Sequence, residues 1–119
     1  MDLMGSLVDG WRRRRLTEPR LRRVEAYPSR QAMPARLNRR RLAVVGTPVT
    51  PKWLIFWCPC GHGHRVELNA QSAQHPRWRL TLDHRGRPSV SPSVDVQEAR
   101  RCHFWLGHGR VTWCPDLPG

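Results

Sequence analysis

The sequence predicts an all-β, or β-dominated, small zinc-stapled module behind a disordered Arg-rich N-terminal arm, and three observations lead there. Apolar residues recur with period 2 in pieces of strand length. Within 119 residues, 11 Pro and 9 Gly interrupt the chain too often for long helices. Four Cys stand in two groups that also contain His, which is the spacing of a metal staple rather than of isolated core thiols.

The strands follow in order. Residues 42–45 (LAVV) end at Gly46, and residues 53–57 (WLIFW) end at Cys58-Pro59, so breakers bound both apolar runs. Residues 64–70 alternate, with Val66, Leu68 and Ala70 on one face and Arg65, Glu67 and Asn69 on the other. Residues 77–82 alternate in the same way, setting Trp78, Leu80 and Leu82 against Arg77, Arg79 and Thr81. Residues 83–88 (DHRGRP) read as a turn. Residues 89–96 read as an irregular extended stretch, because Pro88 and Pro92 oppose a central strand. Residues 95–101 are the one segment suited to a helical turn, and residues 103–106 and 111–114 around Gly107-His108-Gly109-Arg110 form the clearest hairpin.

Charge divides the chain. Residues 1–41 hold 12 Arg and four acids, a net of +8; residues 42–119 hold 9 cations and 5 acids, a net of +4, which together make the formal +12. With Pro19, Pro28 and Pro34 in the first stretch, no continuous helix is possible there. The expected organisation is a mostly disordered basic arm over residues 1–40 and a zinc-binding β module over residues 41–117. Arg12, Arg13, Arg14 and Arg15 in the arm, with Arg77 and Arg79 on one strand face, are the candidate nucleic-acid contacts, since arginines that release counterions from phosphates bind polyanions without reading sequence. No apolar run reaches the roughly 18 residues of a membrane span. A cytoplasmic protein with no membrane partner is therefore expected.

The candidate ligands are Cys58 and Cys60, with His62 as a possible substitute, in one knuckle (residues 58–64, CPCGHGH), and Cys102, His103 and Cys114 in the terminal hairpin. With His108-Gly109 as the turn, pairing residues sum to 217, so Phe104 faces Trp113, Leu106 faces Val111 and His103 faces Cys114. If ligands occupy the face opposite the apolar residues, His103 binds and Cys102 does not. The expected structural Zn²⁺ site is thus Cys58, Cys60, His103 and Cys114, with His62 and Cys102 as alternates. A structural zinc with four filled positions leaves no open position for substrate, which points to a non-catalytic role.

Enzyme chemistry finds less support. His62, His64, Ser72 and His75 approach the H-x-H-x7-S-x2-D metal motif of JAMM-type metallopeptidases, but His75 stands where that motif has Asp, and no Glu is placed to activate water. The few acids of the module are too scattered for paired carboxylate chemistry.

Residues 53–61 (WLIFWCPCG), 76–80 (PRWRL), 86–88 (GRP), 91–94 (SPSV) and 103–104 (HF) through Val111 to Trp113-Cys114 resemble a small bacterial and phage family catalogued as a domain of unknown function. The resemblance covers about residues 41–115. In that family the knuckle typically reads CPCGCG; here His62 replaces the third Cys. Members are often encoded beside ubiquitin-like modifiers and their conjugating enzymes, so the resemblance implies an accessory or adaptor with a protein partner in such a system. The alternative expectation is a nucleic-acid-binding protein, and the remote one a JAMM-like metallopeptidase.

Overall fold

A computed structural model describes residues 20–73, 75–98 and 101–115. Eight strands form two four-stranded sheets that pack face to face. β1 (Arg23–Tyr27), β2 (Arg41–Gly46), β3 (Pro51–Trp57) and β4 (Arg65–Asn69) make the first sheet in chain order; β5 (Arg79–Leu82), β6 (Pro88–Gln97), β7 (Arg101–Gly107) and β8 (Arg110–Trp113) make the second. All neighbours are antiparallel except β1 with β2, which run parallel. The described residues contain no α-helix, only a 3-10 turn at Arg30–Ala32. No helix among them is long and apolar enough to cross a membrane.

The all-β expectation holds because period-2 patterning is satisfied between the sheets. Leu42, Val44, Leu54, Phe56, Val66 and Leu68 point inward from the first sheet and meet Val90, Val94, Phe104, Leu106 and Val111 from the second. Phe56 and Phe104 join edge to face across the interface, 6.3 Å between ring centres.

Three expectations need correction. Residues 20–40 are not an arm: β1 adds a strand to the first sheet, and Leu21 and Leu37 are buried. The physical reason lies in the continuous apolar runs. Strands reading LAVV and WLIFW carry apolar residues on both faces, and the outward set, Ala43, Val45 and Ile55, is covered by Leu37, Tyr27 and Met33 from the segment taken for an arm. Residues 1–19, with Arg12, Arg13, Arg14 and Arg15, lie outside the described residues.

Residues 88–97 form a central strand, β6, despite two prolines. Pro88 occupies the first strand position, and Pro92 falls where the β6–β7 register shifts between Val90 and Val94, so neither removes a ladder hydrogen bond. Residues 95–101 hold no helical turn either; Asp95 to Gln97 end β6 and Arg101 begins β7.

The terminal hairpin has the expected register: Phe104 pairs with Trp113 and Leu106 with Val111. His108 and Gly109, both at positive φ, make its two-residue turn.

Candidate functional site

Two constellations stand out, on opposite faces of β7. The first gathers Cys58, Cys60, His64 and Cys102, whose ligand atoms all lie within 4.8 Å of one another. Cys58 leaves the end of β3, Cys60 sits in the following turn, and His64 precedes β4. The Cys58 N–H donates to the His64 carbonyl (2.9 Å) and the Gly61 N–H to the Cys58 carbonyl (3.3 Å), folding the knuckle so that Cys60 Sγ comes 2.8 Å from His64 Nε2. Gly61 and Gly63 take φ of 79° and 82°, which side chains other than glycine rarely adopt. Cys102 reaches the cluster from the other sheet, with Sγ 3.7 Å from His64 Nε2.

Three soft thiols and one imidazole at this spacing are a donor set for tetrahedral Zn²⁺. The two knuckle thiols differ in their electrostatics. Burial pushes the Cys58 thiol up to about 12. The Cys60 thiol, although burial opposes ionisation, is drawn down to about 6 by the His62 N–H and the neighbouring imidazoles. His64 Nδ1 is buried without a hydrogen-bond partner, and the Glu98 carboxylate stands 3.8 Å away, beyond hydrogen-bonding length but placed to orient the ring.

This is not the expected quartet. Cys58 and Cys60 are in the cluster, but His103 and Cys114 are not, and Cys102 and His64 take their places. The hairpin register is the expected one, but the ligand stands on the apolar face of β7 and not opposite it. Cys102 shares the buried side of β7 with Phe104 and Leu106, so the cluster closes the end of the core instead of opposing it. Of the alternates, Cys102 belongs to the cluster, whereas His62 is exposed and turns its Nδ1 to the Cys60 carbonyl (3.0 Å). His75 lies exposed in a loop apart from His64, so the three histidines of the JAMM-like pattern do not converge.

The second constellation occupies the outer face of the second sheet. His103 points there, and its Nε2 lies 2.9 Å from Ser93 Oγ of the neighbouring strand. Ser93 stands at the end of the β6 bulge, a feature that re-aims side chains. Its carbonyl accepts from Trp78 Nε1 (3.2 Å), which ties the bulge to the loop before β5. Asp95 pairs with His103 in the ladder. Arg101 grips Asp95 with Nε and Nη2 at 3.1 and 3.0 Å, and chiefly this contact holds its carboxyl below the usual carboxylate range, with the His103 imidazole adding to the effect. Trp105, 52% exposed, lies on the same face two residues beyond His103.

A serine hydroxyl within hydrogen-bond reach of an imidazole, beside a fixed carboxylate, is the arrangement that activates a serine nucleophile. The sequence reading missed Ser93. Ser91-Pro92-Ser93 was treated as irregular, and the signal that finds it is the pairing of β6 with β7 across a two-residue bulge. Of the two arginines proposed on the β5 face, Arg79 is exposed and Arg77 half-buried ahead of the strand.

Residues 29–114 match the model of a family described as BubE, the bacterial ubiquitination-like system serine protease. The match spans most of the chain, which therefore belongs to that family. No curated protein and no solved structure matches it. The membership links the chain to ubiquitin-like conjugation systems, as the resemblance implied, and replaces the unknown-function label. It also overturns the expectation of a non-catalytic adaptor: the family is one of proteases.

Proposed function

We propose that this family member is a serine peptidase whose nucleophile is Ser93 and whose general base is His103, acting on a protein substrate of a ubiquitination-like system. The observation that carries the reading is the 2.9 Å contact between Ser93 Oγ and His103 Nε2, within the reach required of a base and its nucleophile. Ser93 Oγ attacks the carbonyl carbon of the scissile amide while His103 Nε2 takes the hydroxyl proton. His103 then returns that proton to the leaving amine as the C–N bond breaks, leaving an acyl ester on Ser93. Water, deprotonated by the same imidazole, releases the acid and restores the hydroxyl. The Asp95 carboxylate favours the imidazolium formed in between.

The Cys58, Cys60, His64 and Cys102 cluster is assigned to a structural Zn²⁺. Its donors come from both sheets, so Cys58, Cys60, His64 and Cys102 would hold the ion as a cross-link of the sandwich. β7 presents Cys102 to the metal and His103 to the substrate side, and the staple thereby sets the height of the base above the sheet.

Treating the purified chain with a fluorophosphonate tests the reading. A single adduct on Ser93, lost in Ser93→Ala and strongly slowed in His103→Ala, is expected. Labelling at another serine, or undiminished labelling in Ser93→Ala, contradicts it.

A further inference from the structure

The two constellations leave one strongly charged feature unused. A groove of about 330 Å³ opens where the start of the first sheet meets the cysteine knuckle, and its walls include Arg20, Arg22, Arg39 and Arg40 with Trp57. No acidic residue lines it. Five other arginines are neutralised locally, Arg30 and Arg65 by Glu67, Arg41 by Glu25, Arg87 by Asp83 and Arg101 by Asp95, whereas the remaining ones are scattered and not gathered around one groove. Among the described residues, the four of this groove have no such ion pair.

Their placement is built by the fold. The Arg22 N–H donates to the Arg40 carbonyl (2.8 Å), bringing the two arginine stretches side by side, and Arg20 reaches the Pro59 carbonyl of the knuckle through Nη1 (3.2 Å). The Arg39 guanidinium lies over the Trp57 ring, 5.5 Å from its centre, and Trp57 is itself anchored by its Nε1–H to the Leu37 carbonyl (2.7 Å). Four like charges around one groove repel each other and concentrate a positive field there. An anion relieves that repulsion.

We infer that this groove binds the phosphodiester backbone of single-stranded nucleic acid. Three features favour that ligand over an acidic polypeptide. All four cations are arginines, whose planar forks both chelate phosphate oxygens and stack on bases. The anchored Trp57 with Arg39 provides an aromatic and guanidinium surface of the kind used beside single strands. The charges also come from two chain stretches laid side by side, which suits a ligand with regularly repeated charge. The groove draws on neither Ser93 nor His103, so the inference does not depend on the peptidase reading.

The test is fluorescence anisotropy of the full chain with labelled oligothymidylate and oligouridylate of about 12 nucleotides, across a salt series. Arg39→Gln/Arg40→Gln should weaken binding about tenfold, and should make the log–log salt slope shallower by about 1.4, at roughly 0.7 per phosphate contact on a single strand. Arg36→Gln/Arg85→Gln removes two exposed arginines elsewhere and should leave affinity within about twofold, with zinc content and melting temperature confirming the fold of both variants. An unchanged slope in the groove variant overturns the inference, as does an equal loss in the control, which would mean binding through net charge alone. Complete displacement by poly-glutamate of equal charge would identify an acidic polypeptide as the ligand and overturn it too.

Discussion

Ser93 and His103 are joined across two adjacent strands by a 2.9 Å contact, beside the point where β6 carries two extra residues between Val90 and Val94. In the unbulged stretches of the ladder each residue of β6 has one partner on β7. The bulge alters the approach of Ser93, so its hydroxyl addresses the imidazole ring. On the reading proposed here, removing the base costs about 10²- to 10⁴-fold in kcat/KM. His103→Ala should fall in that range against a peptide or ubiquitin-like fusion substrate while still folding and binding zinc. Full activity in His103→Ala would reduce the pair to an ordinary cross-strand hydrogen bond.

Trp105 lies exposed on the same face of β7 as His103. Same-face neighbours on a strand are roughly 7 Å apart, which sets its ring next to His103. It is 52% exposed and sits opposite Thr112. Trp105→Ala should raise KM about tenfold, equivalent to ~1.4 kcal/mol, with kcat little changed, since a contact made equally in ground and transition states affects binding alone. A fall in kcat at constant KM would instead place Trp105 in support of the base.

Zinc content separates the cluster from the residues that lie outside it. Cys102→Ser and His64→Ala should lose the metal, while His103→Ala and Cys114→Ala keep about one equivalent, because four ligands complete a structural site. Chelation should abolish cooperative thermal unfolding, since metal binding and folding are coupled at this size. Retention of a sharp melt after metal removal would show that the apolar core suffices.

Acid stability depends on Asp83. Burial alone would raise its carboxyl, but the N–H groups of Arg87 and Arg85, the His108 ring and the Arg87 guanidinium converge on it and hold it well below the usual carboxylate range. A carboxylate with a depressed folded-state pKa stabilises fully above its unfolded value, and that contribution disappears as pH falls. The protein should therefore lose melting temperature from about pH 5 downward, and Asp83→Asn should lower stability near neutrality and flatten that acid limb. A parallel acid limb in Asp83→Asn would assign the loss to other carboxylates.

Period-2 alternation and strong breakers announced most of the strands in the sequence, and the His108-Gly109 turn announced the hairpin register. Those are local properties, set by neighbours within a few residues. The continuous runs at residues 42–45 and 53–57 even carried a hint that a second face needed cover. Which segment supplied it could not be read, because Leu37, Met33 and Tyr27 reach that face only through the fold.

Both sites needed the same kind of information. Residues 58–64 mark a metal knuckle from their own spacing, but whether Cys102 or His103 completes it depends on which face of β7 looks into the sandwich at its end. Ser93 gains its partner from the pairing of β6 with β7, which no period in the sequence announces. Local patterning decided the strands, their turns and half of the metal site. The turn of the knuckle chose His64, packing of one sheet on the other chose Cys102, and the pairing of β6 with β7 brought the serine to the histidine, the last two depending on contacts between residues distant in the chain.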